Sequence, residues 1–120
     1  MKKVFIAEDD PFILDIASTK LIEEGYEVIK TADGASVIDI ALEQKPDILL
    51  LDLMLPNEHG MDILEKMRTI PELAHLPVVI FSNENGSDVE EHAKRLNADY
   101  FYKALTGTGE LIAKIKSLIT

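Results

Sequence analysis

Cysteine is absent from the 120 residues, and with it go disulfides, thiolate metal sites and cysteine nucleophiles. Its absence agrees with a reducing compartment, where disulfides are rare in any case. Long hydrophobic runs are missing as well, since nothing approaches the ~18 apolar residues of a membrane span. The start Met1-Lys2-Lys3 leads into Val4-Phe5-Ile6-Ala7, but this apolar run stops at Glu8-Asp9-Asp10, too soon for a secretory h-region. A soluble cytoplasmic protein with no membrane attachment is the expectation. Positive charge is scarce: 12 basic against 22 acidic residues give a net charge of −10, a balance that repels nucleic acid phosphates. No repeat, low-complexity tract or linker interrupts the chain. One domain over residues 1–120 is expected, long enough to bury a core without staples.

What the sequence does contain is an alternation. Short apolar runs at 4–7, 28–29, 48–51, 78–81 and 100–102 are separated by longer amphipathic segments. Most of the runs are continuous, which reads as strands buried on both faces of a parallel sheet. Asp10 is placed to cap a helix with Pro11 at its first position, Ile13, Ile16, Ala17 and Leu21 on one face, and Gly25 close after its end. Residues 35–44 carry Ile38, Ala41 and Leu42 on one side. A third helix is expected from about Met61 to Arg68, ahead of Pro71, and a fourth from near Ser87 to near Leu96, ahead of Asn97. The last helix shows Leu111, Ile112, Ile115, Leu118 and Ile119 on one face and Lys114 and Lys116 on the other. Strand and helix alternating five times predict an α/β fold, a doubly wound five-stranded parallel sheet with helices on both faces.

Open α/β sheets bind ligands at the carboxyl ends of their strands. The polar residues there are Glu8-Asp9-Asp10 after the first run, Asp52 after the third, Ser82 after the fourth and Lys103 after the fifth. Each has an ordinary reading alone: Asp10 caps its helix, Asp52 begins a loop, Ser82 bonds its own turn, and Lys103 is a solvated lysine. Their coincidence at one sheet edge points to a site. Glu8, Asp9 and Asp52 close together repel one another unless a hard cation such as Mg2+ joins them. Zinc is disfavoured because no histidine or cysteine lies at these strand ends. Metal, ammonium and hydroxyl around a carboxylate suit an incoming phosphoryl group, with Asp52 as nucleophile.

Glu8-Asp9 after a buried strand, Leu50-Leu51-Asp52-Leu53-Met54-Leu55-Pro56 with Gly60 beyond, Ser82 after Val79-Ile80-Phe81, and Lys103 after Tyr100 resemble the receiver domains of response regulators. The likeness spans essentially the whole chain. It implies a flavodoxin-like sheet of order 2-1-3-4-5 and a phosphoacceptor, not a classical enzyme, that assists its own phosphorylation and dephosphorylation. Asp52 would take phosphate from the phosphohistidine of a sensor histidine kinase or phosphotransfer protein. Asp9 would bind Mg2+ directly, Glu8 through water, and the Met54 backbone carbonyl would complete the protein ligands. Ser82 and Lys103 would turn to the phosphate, Tyr100 would be the switch aromatic, and Met54 and Glu84 would tune dephosphorylation. A downstream effector protein would read the surface of the fourth helix, fifth strand and fifth helix, and helices one and five would form a docking area.

The chain departs from the family pattern in three places. Glu8 stands where Asp is commoner, Asn83 follows Ser82 where a small residue is usual, and Ala104 follows Lys103 where proline is usual. A cis bond before a non-proline residue costs ~3 kcal/mol, so a trans Lys103–Ala104 bond is expected. Gly107-Thr108-Gly109 lacks the third glycine of a dinucleotide fingerprint and reads as a helix start. His59, His75 and His92 read as surface residues. Three other functions stand against the phosphoacceptor: an unphosphorylated interaction module, a Mg2+-dependent phosphohydrolase and a flavin-binding module. The phosphohydrolase lacks a second aspartate at the position of Met54, and Glu8-Asp9-Asp10 would repel a flavin phosphate.

Overall fold

The computed structural model describes residues 1–119. Along the chain come β1 (Lys3–Ala7), α1 (Pro11–Glu23), β2 (Glu27–Thr31), α2 (Val37–Gln44), β3 (Ile48–Leu51), α3 (Gly60–Thr69), β4 (Val78–Ser82), α4 (Ser87–Arg95), β5 (Ala98–Tyr102) and α5 (Thr108–Ile119). Short 3-10 turns lie at Gly34–Ser36 and Lys103–Leu105. All strand pairs are parallel and the order is β2-β1-β3-β4-β5. This is the flavodoxin-like, doubly wound sheet expected from the sequence. No helix among the described residues is long and apolar enough to cross a membrane.

Strand order explains the burial pattern. β1, β3 and β4 are interior strands covered on both faces, so their side chains are apolar without alternation. β2 and β5 are edge strands, half-exposed. Their apolar runs are correspondingly weaker guides, and both strands extend beyond the residues that the runs marked. Alternate strand residues point to opposite faces and build two cores. Phe5, Leu49, Leu51 and Ile80 pack with Val37 and Ala41 of α2, Ile63, Leu64 and Met67 of α3, and Ala93 of α4. Ile6, Ile48, Leu50 and Val79 pack with Ala17 and Leu21 of α1 and with Leu111, Ile112, Ile115 and Ile119 of α5. Each fully buried Leu or Ile contributes about 1.5–3 kcal/mol.

The first helix begins as its sequence requires. Asp10 Oδ1 accepts the backbone N–H groups of Phe12 at 2.9 Å and Ile13 at 3.4 Å, with Pro11 at the first helical position. Gly25 follows the helix at φ +95°, a conformation that L side chains rarely adopt. Two residues expected on buried faces are instead exposed: Ile16 at 38% and Leu118 at 36%. On α1 the inward arc is made by Ile13, Leu14, Ala17 and Leu21 together with Ser18. At 100° per residue Ile16 falls outside this arc. Ser18 is tolerated inside because its hydroxyl donates to the Leu14 carbonyl at 2.6 Å. On α5 the arc of Leu111, Ile112, Ile115 and Ile119 leaves Leu118 at its edge.

Arg68, near the end of α3, does more than the sequence reveals. Its Nε donates to the Leu96 carbonyl at 2.7 Å, and Nη1 to those of Leu73 at 3.1 Å, Ala74 at 3.3 Å and Leu76 at 2.8 Å. Nη2 reaches Asn97 O at 3.4 Å. One guanidinium thereby joins the end of α3, the loop into β4 and the turn between α4 and β5.

Candidate phosphoacceptor site

The site is assembled at the carboxyl ends of β1, β3, β4 and β5. Directly after β1, the Glu8 N–H extends the ladder to the Thr31 carbonyl at 3.0 Å, and its side chain is buried. Glu8 Oε2 accepts the Asp10 N–H at 3.0 Å, which leaves Asp9 exposed at the rim and Asp10 occupied as the helix cap. After β3, the Asp52 N–H donates to the Ala7 carbonyl at 3.0 Å. The Asp52 carboxylate is only 4% exposed, and its Oδ1 accepts the Met54 N–H at 3.1 Å. The loop then returns so closely that Gly60 is forced: a Cβ there would lie 2.6 Å from the Asp52 carbonyl oxygen and 2.7 Å from Leu53 Cα.

Lys103 follows β5 and opens a 3-10 turn. Its Nζ stands 3.0 Å from Asp52 Oδ2 and 2.7 Å from Glu8 Oε1, and 5.7 Å from the centre of the Phe81 ring. The Lys103–Ala104 bond is trans, and the turn still delivers the ammonium to Asp52. One ammonium is thus shared by two buried carboxylates. Burial raises the Glu8 pKa to about 7, because it outweighs the opposing bonds from Lys103 and the Asp10 N–H, and the Asp52 charge adds to the rise. Burial also works against the Lys103 ammonium, but Glu8 and Asp52 more than offset it and hold its pKa above the ordinary lysine value.

Carboxylate oxygens of Glu8, Asp9 and Asp52 all lie within 4.8 Å of one another. A set of hard oxygen donors, with no imidazole or thiolate among them, fits Mg2+ and does not fit zinc. Ser82 closes β4 as a fully buried residue whose Oγ accepts the Glu84 N–H at 3.2 Å. Tyr100 lies on β5, half-buried, and its hydroxyl donates to the Glu84 carbonyl. Burial, with the nearby Glu90 and Glu84 charges, raises its pKa.

Glu8, Asp9, Asp52 and Lys103 therefore converge as the strand-end reasoning required, with Ser82 at the end of the neighbouring strand. Met54 contributes a backbone N–H to Asp52 while its side chain is 57% exposed. The Glu84 carboxylate turns to His59 Nε2, at 2.7 Å. Two features escaped the sequence reading. One is the Glu8–Lys103 pair, signalled only by the extra methylene of Glu over Asp. The other is His59, read as a plain surface residue although its place just before a helix is that of a cap.

Comparison with known proteins gives the family and the fold. The family model of the response regulator receiver domain matches residues 4–116. The receiver domain of the Francisella response regulator 1452 is 25% identical with a TM-score of 0.90, covering 99% of this chain and 97% of that one. A phosphorylated cyanobacterial phytochrome response regulator, RcpA, is 26% identical with a TM-score of 0.80, covering 97% and 89%. The BeF3-activated receiver domain of Klebsiella pneumoniae RstA has the same fold at 24% identity and a TM-score of 0.87, covering 98% of each chain.

Proposed function

The chain belongs to the response regulator receiver domain family, and on that premise we propose that it is a phosphorelay switch whose acceptor is Asp52. Receiver domains are phosphoacceptor signalling modules of two-component systems and not classical enzymes. The observation that carries the assignment to Asp52 is its buried carboxylate, 3.0 Å from the Lys103 ammonium and within reach of the Glu8 and Asp9 oxygens. The phosphorylated state of the similar RcpA supports the same chemistry.

In this reading a carboxylate oxygen of Asp52 attacks the phosphorus of a phosphohistidine on a histidine kinase or phosphotransfer protein. The P–N bond breaks, the imidazole leaves, and Asp52 becomes an acyl phosphate. Mg2+, when bound, would neutralise phosphoryl oxygens; Asp9 and Asp52 would hold it directly, Glu8 through water, and Met54 by its backbone carbonyl. Lys103 is already positioned to take up the added charge, so little reorganisation is needed. Ser82 accepts a hydrogen bond from Glu84, which leaves its own proton free to donate to the phosphoryl group. Met54 and Glu84 tune how long the phosphate survives.

The new charge draws Ser82 toward Asp52, where Lys103 already stands. Tyr100 follows, because it shares Glu84 as a hydrogen-bond partner with Ser82. The surface of α4, β5 and α5 then changes its affinity for an effector protein, while α1 and α5 serve docking. With a net charge of −10, the output is a protein contact and not direct nucleic acid binding. Residues 1–120 act as one receiver domain, in the cytoplasm where phosphodonor proteins work. The test is incubation with acetyl phosphate, with and without Mg2+, followed by intact mass. One added phosphoryl group that requires Mg2+ and is lost in Asp52→Asn is the expected result. No addition under any condition would leave an unphosphorylated interaction module.

A further inference from the structure

His59 stands at the end of the loop that begins with Asp52, and it makes two bonds with its two ring nitrogens. Nδ1 accepts the Met61 N–H at 3.0 Å and so caps α3. A nitrogen that accepts carries no proton, so in the neutral ring the proton sits on Nε2. Nε2 therefore donates to Glu84 Oε1, 2.7 Å away. Glu84 belongs to the opposite loop, between β4 and α4, and its backbone is fully engaged. Its N–H bonds Ser82 Oγ at 3.2 Å and its carbonyl accepts the Tyr100 hydroxyl. The groove around the pair is lined also by Met61, Asp62, Asp88 and His92, with no lysine or arginine.

We propose that His59 is a positioning residue of the switch, which fixes Glu84 and through it orients both the Ser82 hydroxyl and Tyr100. The inference rests on the phosphoacceptor reading for its consequence, though not for its geometry. With Glu84 held by its side chain, its N–H stays on Ser82 Oγ, and the Ser82 proton is left to point at the acceptor site. Freed from His59, Glu84 loses that constraint, and its carboxylate loses its hydrogen-bond donor and can swing away from the loop that follows Asp52. Both effects slow phosphoryl uptake. The link also joins the loop after Asp52 to the loop after Ser82, a connection that runs beside the acceptor and not through it.

Asn and Gln separate the two jobs of the ring. The Asn amide reproduces the position of Nδ1 and is a good N-cap, but it is too short to reach Glu84. The Gln amide reaches the position of Nε2 and is a poorer cap. Uptake from acetyl phosphate, followed by intact mass, is expected to slow roughly threefold or more in His59→Asn, with thermal stability preserved. His59→Gln is expected to take up phosphate near the wild-type rate while melting earlier. In a Glu84→Ala background, His59→Asn is expected to have no further effect. Tyr100 ring resonances, recorded by NMR without any phosphodonor, are expected to shift in His59→Asn. Wild-type uptake with unmoved Tyr100 signals in His59→Asn would overturn the proposal, as would an equal slowing in the Glu84→Ala background. If the wild-type protein takes no phosphate, the acceptor reading falls, and the Tyr100 resonances alone decide for or against the positioning role.

Discussion

Glu8 is the residue at which charge, burial and metal meet. Its carboxyl keeps a proton up to about pH 7 in the folded protein, whereas in the unfolded chain it ionises near its ordinary 4.5. Between these values the folded state binds the extra proton, so the stability contributed by Glu8 in the metal-free protein falls as pH rises through that window. Chemical denaturation between pH 4.5 and pH 8 in a chelator checks the direction. The same proton must leave when a cation is bound. Mg2+ affinity, measured by calorimetry, is therefore expected to rise by about tenfold per pH unit below about 7 and to level off above it. A flat profile would contradict the burial of Glu8. Glu8→Gln removes the titrating carboxyl altogether and is expected to flatten the profile.

At the level of elements, the entry and exit of α3 hold the site's frame. Gly60→Ala would drive a Cβ into the Asp52 and Leu53 backbone; overpacking of this kind costs about 1–3 kcal/mol. Urea unfolding should show that loss, and phosphoryl uptake should fall with it because the displaced atoms include the backbone of Asp52, the proposed acceptor. At the other end, Arg68→Met keeps an apolar stem but removes all the guanidinium bonds to the Leu73, Leu76 and Leu96 region. A loss of about 2 kcal/mol is expected, and backbone amides at the end of α4 should exchange faster. Much of the frame was legible in the sequence. The continuous runs of β1, β3 and β4 announced strands covered on both faces, and the residues following them named Glu8, Asp52 and, on β4, Ser82. Lys103 was legible by the same rule. Partnerships were not: Arg68 finds acceptors up to 29 residues away, His59 meets Glu84 across 25, and Lys103, after β5, meets Glu8, after β1. Periodicity reports which way a side chain faces, and it carries no information about which distant polar group lies opposite. The misplacement of Ile16 and Leu118 has a related cause, since an apolar residue on the flank of a helix arc fits the pattern without being covered.

For the whole molecule, the proposed switch has two states, and phosphate acts only through contacts that differ between them. The hydrogen bonds from Ser82 through Glu84 to Tyr100 end on β5, at the edge of the sheet beside α4 and α5. Phosphorylation is expected to change hydrogen exchange in α4 and β5 and to leave β1 and β3, at the centre of the sheet, unaltered; uniform change would argue against a localised output face. The proposed switch depends on where the phosphoryl group is attached. The most direct measurement is borohydride reduction of the acetyl phosphate-treated protein, which converts an aspartyl phosphate to homoserine, followed by peptide mapping. Homoserine at position 52 and nowhere else, formed only with Mg2+ present, is the predicted result. Homoserine at another aspartate, or none in a protein that has gained a phosphoryl group, would contradict the assignment of Asp52 as the acceptor.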